Sequence, residues 1–170
     1  ERLISICFVS ASTGWAVGNS GTIITTTNGG QNWIGQLSGT SLNLSGVFFT
    51  SLTSGWISGE DGIILKTTNG GENWNVQLTG FSSNLSSIFF ISSSTGWAAE
   101  TGNVLKTTDG GSSWNQYSVG SNDYITSIYF PTSLTGWVCQ YQGTILKTTN
   151  GGINWDIQLE INLHTWSSIH

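Results

Sequence analysis

Positive charge is scarce in this sequence. Only Arg2, Lys66, Lys106 and Lys147 carry it among 170 residues, against nine acidic residues and a net charge of −5. A phosphate-backbone partner needs a basic patch, so nucleic-acid binding is excluded as an expectation. An anionic membrane surface is disfavoured for the same reason. Charge of either sign is low, at 8%, where about 25% is usual for a domain. The polar surface must therefore come from Ser, Thr, Asn, Gln and Gly, a style that suits secreted or cell-surface β proteins. No apolar run approaches the roughly 18 residues of a membrane helix, so membrane insertion is not expected. Methionine is absent and no leader-like segment opens the chain. The sequence thus reads as a processed product or an excised part of something longer.

Cysteine is scarce too. Cys7 and Cys139 have no metal-ligand spacing, and His164 and His170 lie at the far end. The bland reading is two free, partly buried thiols; a disulfide stapling the two ends is the sharper one. These histidines and cysteines form no catalytic set, and neither a metal nor a cofactor is implied.

What the chain has in abundance is glycine, tryptophan and repetition. The stretch Thr67-Thr68-Asn69-Gly70-Gly71-Glu72-Asn73-Trp74 recurs at 26–33, 107–114 and 148–155. Asn-Gly or Asp-Gly signals a tight turn between strands, and the Asn or Asp oxygen can accept backbone N–H groups further along it. Asn28, Asn69, Asp109 and Asn150 are therefore read as structural turn residues, with Trp33, Trp74, Trp114 and Trp155 as their apolar anchors. Calcium is the alternative at these turns, but three of the four residues are neutral amides and calcium wants clustered carboxylates. A second marker, Gly-Trp, ends at Trp15, Trp56, Trp97 and Trp137, in steps of 41, 41 and 40 residues. The turn tryptophans step by 41, 40 and 41. Two markers with one period establish a tandem repeat, and this period with several strands per unit predicts propeller blades.

In the second unit the strand-like runs are 45–49, 55–58, 63–67 and 74–78, short, β-branched or aromatic, and bounded by turn residues. The first and third are nearly all apolar, as for inner strands packed on both faces. The fourth sets Trp74, Val76 and Leu78 against Asn73, Asn75 and Gln77, as for an outer strand with one wet face. The fold expected is an all-β propeller, or a segment of one, with four four-stranded blades at residues 4–36, 45–77, 86–117 and 126–158. Residues 165–170 fall in register as the first strand of a fifth unit. That spare strand suggests either a longer array or pairing with another copy, a homo-oligomer.

These units resemble Asp-box repeats, also called bacterial neuraminidase repeats, and with Gly-Trp and Leu-Lys-Thr-Thr they most resemble the photosystem II stability and assembly factor family. The resemblance covers nearly the whole chain and implies a propeller in which the box is a structural hairpin. In that family the assembly role involves a basic surface patch, which four basic residues do not supply. Similar repeats in sialidases accompany several arginines that clamp a carboxylate, whereas Arg2 stands alone here. Similar repeats also occur in xyloglucanase-type glycoside hydrolases, which need two positioned carboxylates. Candidates are Glu60, Asp61, Glu100, Asp123 and Glu160, each with the simpler reading of a solvated turn residue.

Propeller geometry places the loops between second and third strands on one face with the loops that join units. Glu60, Asp61, Glu100 and Tyr141 are the ligand-binding candidates there. Lys66, Lys106 and Lys147 share one register and read as side chains lying over apolar surface or bridging blades, or else as a ring of cations. Trp166 aligns with Leu44, Leu85 and Ile125. Asn43 and Asn84 begin glycosylation sequons, relevant in a eukaryotic secreted setting. The expected function is a non-enzymatic scaffold that binds a protein or a glycan, within a larger secreted or surface protein or an assembly of identical chains. The alternatives are a fragment of a xyloglucanase-like enzyme and a self-assembling structural module.

Overall fold

The computed structural model describes residues 1–161. Residues 162–170, which include the expected fifth-unit strand, His164, Trp166 and His170, lie outside the described residues. Among the described residues sixteen strands form four antiparallel sheets, each in simple sequential order. Blade 1 contains β1 (Leu3–Phe8), β2 (Gly14–Gly18), β3 (Ile23–Thr26) and β4 (Ile34–Gln36). Blade 2 contains β5 (Leu44–Phe49), β6 (Gly55–Gly59), β7 (Ile64–Thr67) and β8 (Asn75–Gln77). Blade 3 contains β9 (Ser87–Phe90), β10 (Gly96–Glu100), β11 (Asn103–Thr107) and β12 (Asn115–Ser118). Blade 4 contains β13 (Ile125–Tyr129), β14 (Gly136–Gln140), β15 (Thr144–Thr148) and β16 (Asp156–Glu160). The first strands β1, β5, β9 and β13 line a shared central channel.

Apolar residues are concentrated between blades, because a single four-stranded sheet cannot bury both faces alone. One cluster joins Trp15, Val17 and Ile23 of blade 1 to Leu44, Val47, Phe49, Ile57 and Leu65 of blade 2. Equivalent clusters join blade 2 to blade 3 and blade 3 to blade 4. The second strands are the most enclosed: every residue of β2, β6 and β10 is buried.

The two sequence markers turn out to be halves of one device. Gly55 has no side chain because the ring of Phe49 lies against it; a Cβ there would sit 2.5 Å from that ring. The other face of Phe49 is covered by Trp15 of the preceding blade, stacked at 3.6 Å between centroids. The Trp15 indole N–H then donates to Gly70 O, in the turn of blade 2, at 3.1 Å. Trp56 does the same with Phe90 and Gly110, and Trp97 with Phe130 and Gly151. Gly-Trp of one blade therefore locks onto the turn motif of the next, which is why both markers keep one period.

The turn itself is built around a threonine. Thr67 Oγ1 accepts the N–H groups of Asn69 (3.2 Å) and Gly71 (2.9 Å) and donates to Asn69 Oδ1 (2.9 Å). Asn69 Oδ1 also accepts from Asn73 N at 3.0 Å. Gly70 and Gly71 have φ of 73° and 90°, a region open to glycine. The same bonds recur around Thr26, Thr107 and Thr148. The amide or carboxyl oxygen at the Asn or Asp position thus serves backbone N–H groups.

Asp109 is the one turn residue of the four that titrates. Hydrogen bonds from the Ser113 hydroxyl, the Ser113 backbone and Thr107 lower its carboxyl from 3.8 to about 2. A depressed carboxylate contributes stability above its unfolded-state value and loses it as pH falls through the folded one. Asp109→Asn is expected to abolish the part of acid destabilisation that develops from about pH 4 down to pH 2. Comparing denaturant midpoints of both proteins across that range checks it; parallel curves would contradict the assignment.

One expectation needs correcting. In the outer strand β8, Val76 is exposed, as is Leu78 just beyond it, while Gln77 is half-buried. Gln77 Nε2 donates within its own strand, to Asn75 O at 3.4 Å, while its Cγ lies beside the Gly111 turn of the next blade. Its counterpart Gln36 donates to Gly70 O at 3.1 Å and accepts the Trp74 indole N–H at 3.2 Å. The gain of satisfying two polar groups at a blade junction outweighs burial of a valine at the rim.

Candidate binding face

Two sets of loops meet at one end of the blades. The turns after the second strands are Asn19–Gly21, Glu60–Gly62, Thr101–Gly102 and Tyr141–Gly143, and the unit-joining linkers lie beside them. Backbone and side-chain bonds sew the sets together. Glu60 accepts from Asn43 Nδ2 at 2.8 Å and Asn43 N at 3.1 Å, which holds its carboxyl below the usual range. Asp61 adopts φ of 53° and donates its N–H to Asn84 Oδ1 at 3.0 Å. Asp123 Oδ2 accepts from Gln142 N at 3.0 Å, and Tyr141 N donates to Tyr124 O at 2.9 Å. Both sequon asparagines, Asn43 and Asn84, are thereby occupied in holding loops.

Of the four ligand candidates, Glu60, Asp61 and Tyr141 lie on this loop-bearing end, and Tyr141 is widely exposed. Glu100 belongs to the same end but is enclosed, with 0% exposure. One of its oxygens accepts from Gln116 Nε2, and Oε2 has no partner. Its register mates in blades 1 and 2 are Gly18 and Gly59, whereas blade 4 carries the buried Gln140, so blades 3 and 4 alone bear side chains here.

Sequence reasoning passed over the channel. A cavity of about 450 Å³ is lined by Ser5, Ser45, Ser86, Ser87, Tyr124 and Thr126, with Ile4, Val47 and Ile88 among the apolar residues between them. No charged side chain contributes to its wall. Ser45 Oγ donates to Leu85 O of the next blade, and Ser86 Oγ donates to Ile125 O at 2.5 Å. These hydroxyls hold adjacent inner strands together while presenting a polar wall. The available signal was Ser45, Ser86 and Thr126 at one register inside otherwise apolar strands.

The lysines sit far from this end. Lys66, Lys106 and Lys147 lie over Trp56, Trp97 and Trp137 at 5.6, 5.7 and 5.5 Å from the ring centroids. A Cβ on Gly110 or Gly151 would meet the Nζ of Lys66 or Lys106 at 2.9 or 2.6 Å, so these two reach the next blade's turn. This is the blade-bridging role, with cation–π support. Cys7, half-buried on β1, and Cys139, exposed on β14, are free thiols. Burial raises the Cys7 thiol above its ordinary value, partly opposed by the Phe49 backbone. Among the described residues no group of three or more His, Cys, Asp or Glu side chains is placed to hold a metal ion.

Residues 1–80 match the model of the photosynthesis system II assembly factor YCF48 family. Among solved structures the chain is similar to YCF48 bound to a D1 peptide, with 15% identity and a TM-score of 0.59 over 91% of this chain and 80% of that one. It is similar to YCF48 from Cyanidioschyzon merolae, with 19% identity and a TM-score of 0.75 over 95% of this chain and 57% of that one. An ancestral GH74 enzyme gives 20% identity and a TM-score of 0.75 over 91% of this chain, which spans 23% of the enzyme. No curated protein matches the chain.

Proposed function

We propose that this chain, an Asp-box β-propeller related to the YCF48 family, is a non-enzymatic scaffold that takes a segment of a partner protein at the linker end of its channel. The observation that carries this reading is the cavity wall of serine and threonine hydroxyls with Tyr124 beside them. Hydroxyls both donate and accept, so they can pair with peptide N–H and C=O groups alike. A tyrosine at the rim offers rigid amphipathic contact area of the kind that anchors interfaces. The similar YCF48 structure carries a D1 peptide, which supports a peptide as the ligand class.

Two of the candidate carboxylates have other employment: Glu60 is tied to Asn43 and Glu100 is enclosed. That supports a scaffold over the glycosidase reading, which needs two carboxyl groups facing a substrate. The sparse charge and hydroxyl-rich surface support a secreted or surface setting.

The test is selection of peptides from a random display library on the purified protein, followed by affinity measurement on Tyr124→Ala. At least a tenfold loss is expected, equivalent to about 1.4 kcal/mol. Selected peptides that bind the variant equally well would overturn the site. Glycan-array binding with the same Tyr124 dependence, and no selected peptide, would transfer the face to carbohydrates.

A further inference from the structure

Two of the turn asparagines, Asn69 and Asn150, each precede a glycine that closes a junction between blades. Gly70 O accepts the Trp15 indole N–H and Gln36 Nε2, each at 3.1 Å, and Gly151 O accepts the Trp97 indole N–H at 2.9 Å. Asn-Gly is also the backbone pair most prone to lose ammonia unaided, because glycine has no Cβ to shield its nitrogen from the neighbouring carboxamide.

The closed turn occupies both groups that would react. Gly70 donates its N–H to Thr53 O at 2.9 Å, and Gly151 donates its own to Leu134 O at 2.7 Å. Asn69 Oδ1 accepts from Thr67 Oγ1 at 2.9 Å and from Asn73 N at 3.0 Å. Asn150 Oδ1 accepts from Thr148 Oγ1 at 3.0 Å and from Asn154 N at 2.9 Å. Ring closure requires the glycine nitrogen to give up its proton and the carboxamide carbon to swing onto it. Both movements break these bonds. Thr67 and Thr148 are fully buried, so the carboxamides leave these partners only when the turn opens.

We propose that Asn69 and Asn150 are self-modification sites, held unreacted by the closed junction and released when the turn opens. In the open turn Gly70 N attacks Asn69 Cγ. The N–Cγ bond forms, the Cγ–Nδ2 bond breaks, and ammonia leaves with the proton of Gly70. Water then opens the cyclic imide at either carbonyl, which gives aspartate or isoaspartate. Aspartate fits the turn, as Asp109 shows: its Oδ1 accepts from Thr107 Oγ1 at 2.8 Å and from Ser113 N at 2.9 Å. Isoaspartate inserts a methylene into the backbone ahead of Gly70. Gly71 N then loses the Thr67 hydroxyl, and Gly70 O moves off the Trp15 indole. A reversible opening of the junction becomes a lasting one. The same steps at Asn150 release Trp97 from Gly151 O. The junction between blades 2 and 3 is spared, because Asp109 has no ammonia to expel and its carboxylate, ionised at neutral pH, resists attack by an amide nitrogen. This chemistry does not depend on the peptide reading.

The test follows the full chain by peptide mapping and mass spectrometry at mildly alkaline pH, in buffer and in unfolding urea. Conversion at Asn69 and Asn150 is expected to be at least about tenfold slower in buffer, because it tracks the open fraction of each turn. Thr67→Val is expected to speed conversion at Asn69 by about tenfold or more while Asn150 keeps its rate. The wild-type comparison decides the matter even where that variant does not fold. Chains separated with isoaspartate at position 69 are expected to unfold at lower urea than Asn69→Asp, which keeps the wild-type midpoint. Equal conversion in buffer and urea, an unchanged rate at Asn69 in folded Thr67→Val, or isoaspartate chains as stable as Asn69→Asp would each overturn the proposal.

Discussion

Trp97→Ala is expected to destabilise the protein by about 3–5 kcal/mol, the range for removing a large aromatic from a packed core. Trp97 is fully buried and stacked on Phe130 at 3.7 Å, nearly parallel, and its indole donates to Gly151 O at 2.9 Å. Alanine removes the cover from Phe130, leaves a void between blades 3 and 4, and leaves Gly151 O without that donor. Lys106 loses the ring beneath it as well. The loss falls on one junction, so blades 1 and 2, held by Trp15 and Phe49, keep their own contact. Chemical denaturation with intrinsic fluorescence checks the magnitude. A loss below about 1 kcal/mol, which is typical of surface positions, would show that the indole does not hold the blades.

Thr67→Val should cost about 2–3 kcal/mol even though it keeps the side-chain volume, because buried N–H groups lose their acceptor. Thr67 is fully buried, and its hydroxyl serves Gly71 N, Asn69 N and Asn69 Oδ1 together. Without it the turn loses the contact that holds Gly71 in its left-handed conformation. Thr68, the next residue, is exposed. Thr68→Val is therefore expected to change stability by less than about 0.5 kcal/mol, as at surface positions away from such features. Equal losses at the two positions, measured by urea denaturation, would contradict the hydroxyl's role as the hub of the turn.

Much of this architecture was legible because the chain states it four times. Asn-Gly turns and Gly-Trp pairs at one period point to four four-stranded sheets. Their mutual lock was not legible, since it joins Trp15 to Gly70 across 55 positions. The outer strand misled the reading because Val76 fits an alternating pattern, yet the register of Gln77 is the one that faces the next blade, where Gln36 in blade 1 finds polar partners, and a valine at the rim has little to gain. Glu100 looked like any loop carboxylate. Its enclosure follows from its place at the end of a fully buried second strand, where blades 1 and 2 have glycine and blade 4 has the buried Gln140, and composition carries no trace of that. The channel hydroxyls stayed hidden for a simpler reason. Ser45 and Ser86 interrupt apolar strands, and an interruption carries no direction until the first strands are seen side by side. Glu60, Asp61 and Tyr141 do share one end of the blades, while the cavity is walled by first-strand residues and by Ser86 and Tyr124 just ahead of those strands, none of the three candidates among them.

Indole proton exchange measures the blade-to-blade lock most directly. The N–H groups of Trp56 and Trp97 are buried and bonded to Gly110 O and Gly151 O. They are expected to exchange with solvent only when the whole fold opens, tracking the global unfolding free energy as denaturant is added. Exchange of both at the rate of exposed indoles, with the strands still protected, would mean that the tryptophans do not clamp neighbouring sheets, and the account built on them would fail.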